Sequence, residues 1–260
     1  MSYYAVSYKI VHAGAYSAYQ WIGVLSLKKH DVWFALIPIY SLVFLVVLLG
    51  TILGSKAITV MSQSSPLADR HTIIIDAGHG GEDGGATSCA GYLESAINLE
   101  IALRMDDMIH FLGYQTIMVR TTDKAIHTKG DTISARKASD LKERVKLVNN
   151  SENAILISIH QNYFSDDRYS GAQIFYPTIG DSEQLGKLLQ RNLVNTLNPN
   201  SKRQAKKVSG VYLMEHIECT GVLIECGFLS NPEEEQKLRS DYYQKQLCAV
   251  IAATIGSFLA

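Results

Sequence analysis

Three short, almost wholly apolar runs constrain most strongly what this chain can fold into: Thr72–Asp76 (TIIID), Ala154–Ile159 (AILISI) and Gly221–Glu225 (GVLIE). Each is too short for a helix and lacks the alternation of a half-exposed strand, so each reads as a strand buried on both faces. Weaker strand signals lie at Gln115–Val119 and Gly171–Tyr176. The intervening stretches have helical spacing. Ser95–Leu112 repeats Ile97, Ile101, Met105, Met108 and Leu112, with Gly113 as a stop. Ala138–Val148, Asp181–Leu197 with an aspartate cap, and Asp241–Phe258 are further helices. Asn231-Pro232 followed by three glutamates is a strong helix start: a cap, a proline at the first position, then acids near the positive end of the dipole. This alternation predicts an α/β fold over residues 71–260, with a mostly parallel central sheet flanked by helices. In such sheets functional groups gather beyond the carboxyl ends of strands. That directs attention to the segments after Asp76, Val119 and Ile159 and to the end of GVLIE.

Upstream, Val32–Leu53 carries no charged residue. At about 1.5 Å per residue it forms a helix roughly 33 Å long, enough to cross a hydrocarbon core of about 30 Å. Lys28, Lys29 and His30 precede it and only Lys56 follows closely. The positive-inside rule then places residues 1–31 in the cytoplasm as a tail and the C-terminal domain outside. The expected organisation is a transmembrane signal anchor at 32–54, a polar linker at 55–70 and a catalytic domain at 71–260, giving a single-pass cell-membrane protein. A cleaved signal peptide is the competing reading, but its apolar region is usually shorter, and no clear A-x-A site follows Gly54.

The formal net charge of −1 offers no basic surface for nucleic acid. None of the four cysteines forms a C-x-x-C pair, so a thiolate metal site or redox motif is not expected. Cys219 and Cys226 could pair in an oxidising compartment; unpaired thiols are the reading adopted here.

Directly after the first strand comes DAGHGGEDGGA, in which glycines flank His79 and keep its imidazole accessible. Glu94 opens the next helix, His160 follows AILISI, and Glu225 ends GVLIE. Each alone has a plainer reading: a polar loop residue, a turn or phosphate cradle, an acid at a helix start. Glu225 is the odd one, because a strand so apolar rarely closes on an acid without a partner. Together they share a logic. Catalytic zinc commonly takes three protein ligands and leaves one position open, and two imidazoles with one carboxylate form such a set. A second carboxylate outside the set can then move protons.

IIIDAGHGGEDGGA, LESAINLEIALRM, SIHQNYF, GAQIFY and VLIECGFLSNPEEEQKL resemble, in order, the motifs of the zinc-dependent N-acetylmuramoyl-L-alanine amidases, the amidase 3 family. The resemblance spans about Thr72 to the C-terminus. It implies His79, Glu94 and His160 as Zn2+ ligands and Glu225 as catalytic base and acid. Asp76, Gln161 and Asn162 lie beside these residues, either supporting them or filling ordinary turn roles. The implied reaction hydrolyses the amide between muramic acid and L-alanine in peptidoglycan. A lone catalytic domain behind an apolar segment is most similar to the membrane-anchored, germination-specific amidases of the spore cortex, with the forespore intermembrane space as the implied site of action. An activating protein partner is compatible with this reading. A vegetative amidase of wall turnover or cell separation is the alternative within the family. Outside it stand a zinc peptidase cutting within the stem and a membrane-tethered wall-binding protein without catalysis; a retained Glu225 argues against the latter. Ser201–Lys207 (SKRQAKK) reads as a solvated loop, with contact to acidic wall polymer or a regulatory protein as the alternative.

Overall fold

A computed structural model describes Pro38, residues 40–49 and residues 71–260. The expected tail, the linker and most of the expected membrane segment lie outside the described residues. Pro38 and residues 40–49 are helical and exposed. Among the described residues, no helix is long and apolar enough to cross a membrane.

Residues 71–260 build a six-stranded sheet in the order β2-β1-β3-β6-β4-β5. The strands are β1 (Thr72–Ala77), β2 (Gln115–Met118), β3 (Ala154–Asn162), β4 (Gln173–Tyr176), β5 (Lys206–Lys207) and β6 (Thr220–Phe228). The helices are α1 (Glu94–Phe111), α2 (Ile133–Asn149), α3 (Ser182–Leu197), α4 (Tyr212–His216), α5 (Pro232–Leu238) and α6 (Asp241–Leu259). The three apolar runs β1, β3 and β6 occupy adjacent central positions and pair in parallel. β4 runs antiparallel to β6, and β5, parallel to β4, runs in the same opposed direction.

The two faces of the sheet differ, as the period of two along a strand allows. On one face Ile73, Ile75, Ile157, Ile159, Val222 and Ile224 form a continuous core with α1, α3 and α6. On the other face Ile74, Leu156 and Leu223 pack on Val148 of α2 and on Leu213 and Met214 of α4. Two residues further along each strand, that second face turns polar: Asp76, Ser158 and Glu225 follow, with His160 after Ser158. The second layer therefore covers only part of its face, and a cleft opens where the strands end.

Most expected elements are present within a few residues. α2 begins earlier than Ala138, because Thr132 caps it by accepting from the Ala135 N–H at 3.1 Å. Asp181 precedes α3 without a side-chain cap bond. Ser182 instead accepts from the Gly221 N–H at 2.9 Å, tying α3 to the start of β6. The 206–207 stretch, read from sequence as a loop, contains edge strand β5, and α4 was not anticipated. All four cysteines are free thiols.

Asn231 works as the α5 start predicts. Its Oδ1 accepts from the Glu234 N–H at 3.0 Å, and its Nδ2 donates to the Asp167 carbonyl at 2.8 Å. Asn231→Ala should cost about 1–2 kcal/mol in urea denaturation. Asn231→Asp, which keeps the acceptor and loses the donor, should recover most of that loss.

Candidate active site

β1 ends at Ala77, and the chain enters a turn in which His79 has a φ of 62°. That left-handed conformation is uncommon for a residue with a side chain and signals local strain. Gly78 has to be glycine, since a Cβ there would stand 2.2 Å from the His160 ring. Gly85 combines a φ of 68° with a Cβ position 2.6 Å from Glu94 Oε2. These two close approaches let the turn, α1 and β3 converge.

Two buried guanidinium groups hold the turn. Arg120, just beyond β2, donates to the carbonyls of Ala77 (2.8 Å), Gly78 (3.0 Å) and Ser95 (2.8 Å). Arg144 of α2 donates to the carbonyls of Ala77 (3.0 Å) and His79 (2.7 Å) and to Asp140 Oδ2 (2.6 Å). Its Nη1 also pairs with Asp76 Oδ1, while Ser158 donates to Asp76 Oδ2 at 2.7 Å. Burial alone would raise the Asp76 pKa, but Arg144, with smaller help from His160 and Ser158, outweighs it and holds the carboxyl below its ordinary value.

His79 Nδ1 lies 2.9 Å from Asp83 Oδ2, and its Nε2 lies 3.3 Å from Glu94 Oε2. The Asp83 contact fixes a proton on Nδ1 and turns Nε2 toward Glu94. Asp83 in turn pairs with Lys137 Nζ at 2.9 Å. His160 Nδ1 lies 3.0 Å from Glu94 Oε1, and its ring meets the His79 ring edge-on at 4.9 Å.

Glu94, the first residue of α1, sits where the helix dipole favours a carboxylate. It is buried, and backbone N–H groups of Ala86 (3.0 Å) and Gln161 (3.1 Å) donate to it, as does Asn98 Nδ2 (3.2 Å). Burial would raise its pKa, but the His160 and His79 imidazoles prevail and hold it far below the usual carboxylate range. For His79, burial opposes protonation, yet Glu94 and Asp83 together raise its pKa. Glu94 and the two histidines present ligand atoms that all lie within 4.8 Å of one another, a group able to hold a metal ion.

Glu225 pairs in register with His160 across β3 and β6, just before a register shift that re-aims the ends of both strands. Its Oε2 is buried with no hydrogen-bond partner among the described residues. Burial pushes its pKa up to about 7; Glu94 adds to the rise, while His160 and His79 oppose it. The two glutamates thus sit in opposite electrostatic environments within one site.

All four residues singled out from the sequence meet at this rim. Gln161 is buried and donates to Asn98 Oδ1 at 3.2 Å, whereas the Asn162 carbonyl accepts from Leu229 at 2.8 Å in an ordinary backbone role. Asp83, Asn98, Arg120 and Arg144 were not nominated from the sequence. The i,i+4 spacings His79–Asp83 and Asp140–Arg144 were available signals. Arg120 directly follows Val119, a spot already marked as a strand end.

Two imidazoles and one carboxylate thus meet at or just beyond the strand ends, and the start of α1 brings the second carboxylate, Glu94, to them. Residues 73–257 match the family model described as N-acetylmuramoyl-L-alanine amidase. The chain belongs to that family, and as a member it is an N-acetylmuramoyl-L-alanine amidase, an enzyme acting on peptidoglycan. It is 41% identical over 190 residues to the germination-specific N-acetylmuramoyl-L-alanine amidase of Bacillus subtilis, covering 72% of this chain and 79% of that one. Among solved structures it is similar to the CwlD amidase of Clostridioides difficile in complex with the GerS lipoprotein, with a TM-score of 0.69 and 35% identity over 72% of this chain and 98% of that one. It is also similar to an N-acetylmuramoyl-L-alanine amidase from Clostridium difficile 630, with a TM-score of 0.63 and 29% identity over 73% and 96% of the two chains.

The Arg144–Asp76 pair gives a stability prediction. Arg144→Met strands a buried carboxylate and should cost about 3–5 kcal/mol in urea denaturation at pH 7. In the variant the folded-state pKa of Asp76 rises above the unfolded value of about 3.9, so acidification favours the variant's folded form. In the wild type that pKa is lowered, and the pair's contribution is lost as the pH falls through it. The deficit should therefore narrow as the pH is lowered.

Proposed function

We propose that this chain is a zinc-dependent amidase of the spore cortex, held at the membrane by residues 32–54 with its catalytic domain outside the cytoplasm. The observation that carries the zinc assignment is the convergence of His79, Glu94 and His160 beside a buried, unpartnered Glu225 oxygen. The donor set fits the ion. Two imidazoles and one carboxylate are a donor set that zinc takes, and one ligand atom from each of His79, Glu94 and His160 lies within 4.8 Å of the others. When bound there, zinc supplies Lewis-acid polarisation of the scissile carbonyl and makes water acidic enough to attack near neutral pH.

The protein groups supply the rest. Asp83 keeps the His79 proton on Nδ1 and so presents Nε2 as a lone-pair donor. Asn98 and the Gln161 N–H fix the Glu94 carboxylate. Glu225 is the proton carrier: as a carboxylate it accepts a proton from the attacking water. As the tetrahedral centre collapses and the C–N bond breaks, it passes that proton to the departing L-alanine nitrogen. A carboxyl poised at about 7 can do both at neutral pH.

The finer biological role is supported by the relative from Bacillus subtilis, whose name specifies germination. The anchor is supported by the charge-free run at Val32–Leu53 and its basic upstream flank. A partner protein is part of the proposal because the CwlD amidase structure is a complex with a lipoprotein.

Incubation of the full chain with purified peptidoglycan, followed by mass spectrometry of the products, tests the reading. Free L-alanine amino termini and peptide-free muramic acid, lost on chelation and restored by zinc, are expected. Cleavage within the stem would replace this reading with that of a peptidase. Glu225→Gln should retain bound zinc while lowering turnover by about 10²–10⁴. His79→Ala, Glu94→Ala and His160→Ala should instead lower metal content by elemental analysis; full zinc occupancy in all three would sink the ligand assignment.

A further inference from the structure

The Ser201–Lys207 stretch has a place in the fold that its sequence did not disclose. With the 168–170 loop and β4 it forms an open, shallow groove of about 780 Å³, lined in part by Gln173, Asn198, Lys202, Arg203 and Lys206. Among the described residues, no ion pair engages Lys202, Arg203 or Lys206, whereas Arg168 at the same groove is paired with Asp166 at 2.6 Å. Arg203 is held in place: its Nε donates to the Ser170 carbonyl at 2.9 Å, and its guanidinium lies 4.8 Å from the Phe228 ring centre. A guanidinium has five donors, so this one keeps free N–H groups in a fixed orientation. Glu234, which senses Arg203, is buried and already accepts from the N–H groups of Gly171 and Phe228. Among the described residues, the groove thus presents three cations that no ion pair neutralises.

The groove lies next to the reaction site, one strand from Glu225 at Gln173. Across the sheet, β1 and β3 carry His79 and His160, β6 carries Glu225, and β4 then β5 lie beyond. Gln173 of the groove stands opposite Glu225 in register, and Lys206 stands opposite Phe175 on the next strand pair. Glu225 delivers the proton to the leaving nitrogen, which is the amino terminus of the peptide stem. A stem running from that nitrogen toward β4 would pass Gln173, the groove residue in register with Glu225. Strands are spaced about 4.8 Å apart, and an extended peptide advances about 3.4 Å per residue, so on that path the second and third stem residues would be the ones to meet the groove.

We propose that Lys202, Arg203 and Lys206 form a subsite for carboxylates of the peptide stem, on the leaving-group side of the scissile amide. The inference rests on the amidase reading and on Glu225 as proton donor. It makes the enzyme selective for stems with free carboxylates over amidated ones.

Calorimetric titration of the full chain in detergent, using the free tripeptide L-alanyl-γ-D-glutamyl-diamino acid and its amidated counterpart, tests this without requiring turnover. The wild type should bind the acidic peptide about tenfold more tightly. Lys202→Ala/Lys206→Ala, which alters two exposed side chains, should reduce that preference to about twofold or less, and Arg203→Gln should do the same where it folds. On muramoyl-peptides with free carboxylates the double variant should show a KM raised about tenfold with a smaller change in kcat. Equal wild-type affinity for the two peptides, or an undiminished preference in the double variant, overturns the subsite. Equal affinity accompanied by loss of a co-purifying protein from the double variant also overturns it, in favour of a protein-binding surface. Intact discrimination with no amide hydrolysis would sink the amidase reading and leave the groove assignment standing.

Discussion

The turn that carries His79 depends on two guanidinium groups. A chain leaving a parallel sheet into a cleft loses its ladder partners, and its carbonyls still require donors. Here Arg120 and Arg144 supply them to Ala77, Gly78 and His79. Two buried cations side by side would repel, and Asp76 and Asp140 offset that charge. The arrangement is costly to desolvate, and replacing such a cluster with apolar groups is often neutral or stabilising. What apolar groups could not do is hold three successive carbonyls in a left-handed turn and aim an imidazole at a carboxylate on another element. The cluster is best understood as a positioning device.

Positioning extends outward from there. Arg120 also takes the Ser95 carbonyl, so the guanidinium that fixes the turn fixes the first turn of α1 and with it Glu94. Glu94 then touches His79, His160, the 86 loop and β3 through two oxygens. The metal-binding group is over-determined by the fold around it, and Glu225 is the contrast. Its Oε2 has no hydrogen-bond partner among the described residues, and burial sets its pKa near neutrality. The same side chain is a fixed anion at the start of a helix and a proton carrier at the end of a strand, because donors hold one while the other is buried without a hydrogen bond to its Oε2 among the described residues.

This division explains what could be read from the sequence. Strands β1, β3 and β6 were legible because continuous apolar runs have few other uses, and His79, His160 and Glu225 stood out as interruptions at their ends. The supporting residues were hidden for the opposite reason. Arg144 lies on a polar helix with low apolar content, where a charge normally means solvent, and only the tertiary fold turns it inward. β5 is two residues of lysine, whose pairing with Phe175 and Tyr176 comes entirely from the neighbouring strand. The antiparallel direction of β4 depends on the path of the loop before it, which carries no periodic signal. α4 is five residues long and owes its helical form to packing of Leu213 and Met214 against the sheet.

The unequal faces of the sheet link stability to chemistry. The face toward α1, α3 and α6 is apolar along its length and carries the larger core, so it can hold the strands in register without help from the other side. That leaves the second face free to change character partway along, from Ile74, Leu156 and Leu223 to Asp76, Ser158 and Glu225. Asp76 and Ser158 are buried there only because Arg144 and each other supply their partners. Here Arg144 of α2 reaches over Asp76, and the cleft beside them is one in which charge can be held and protons moved.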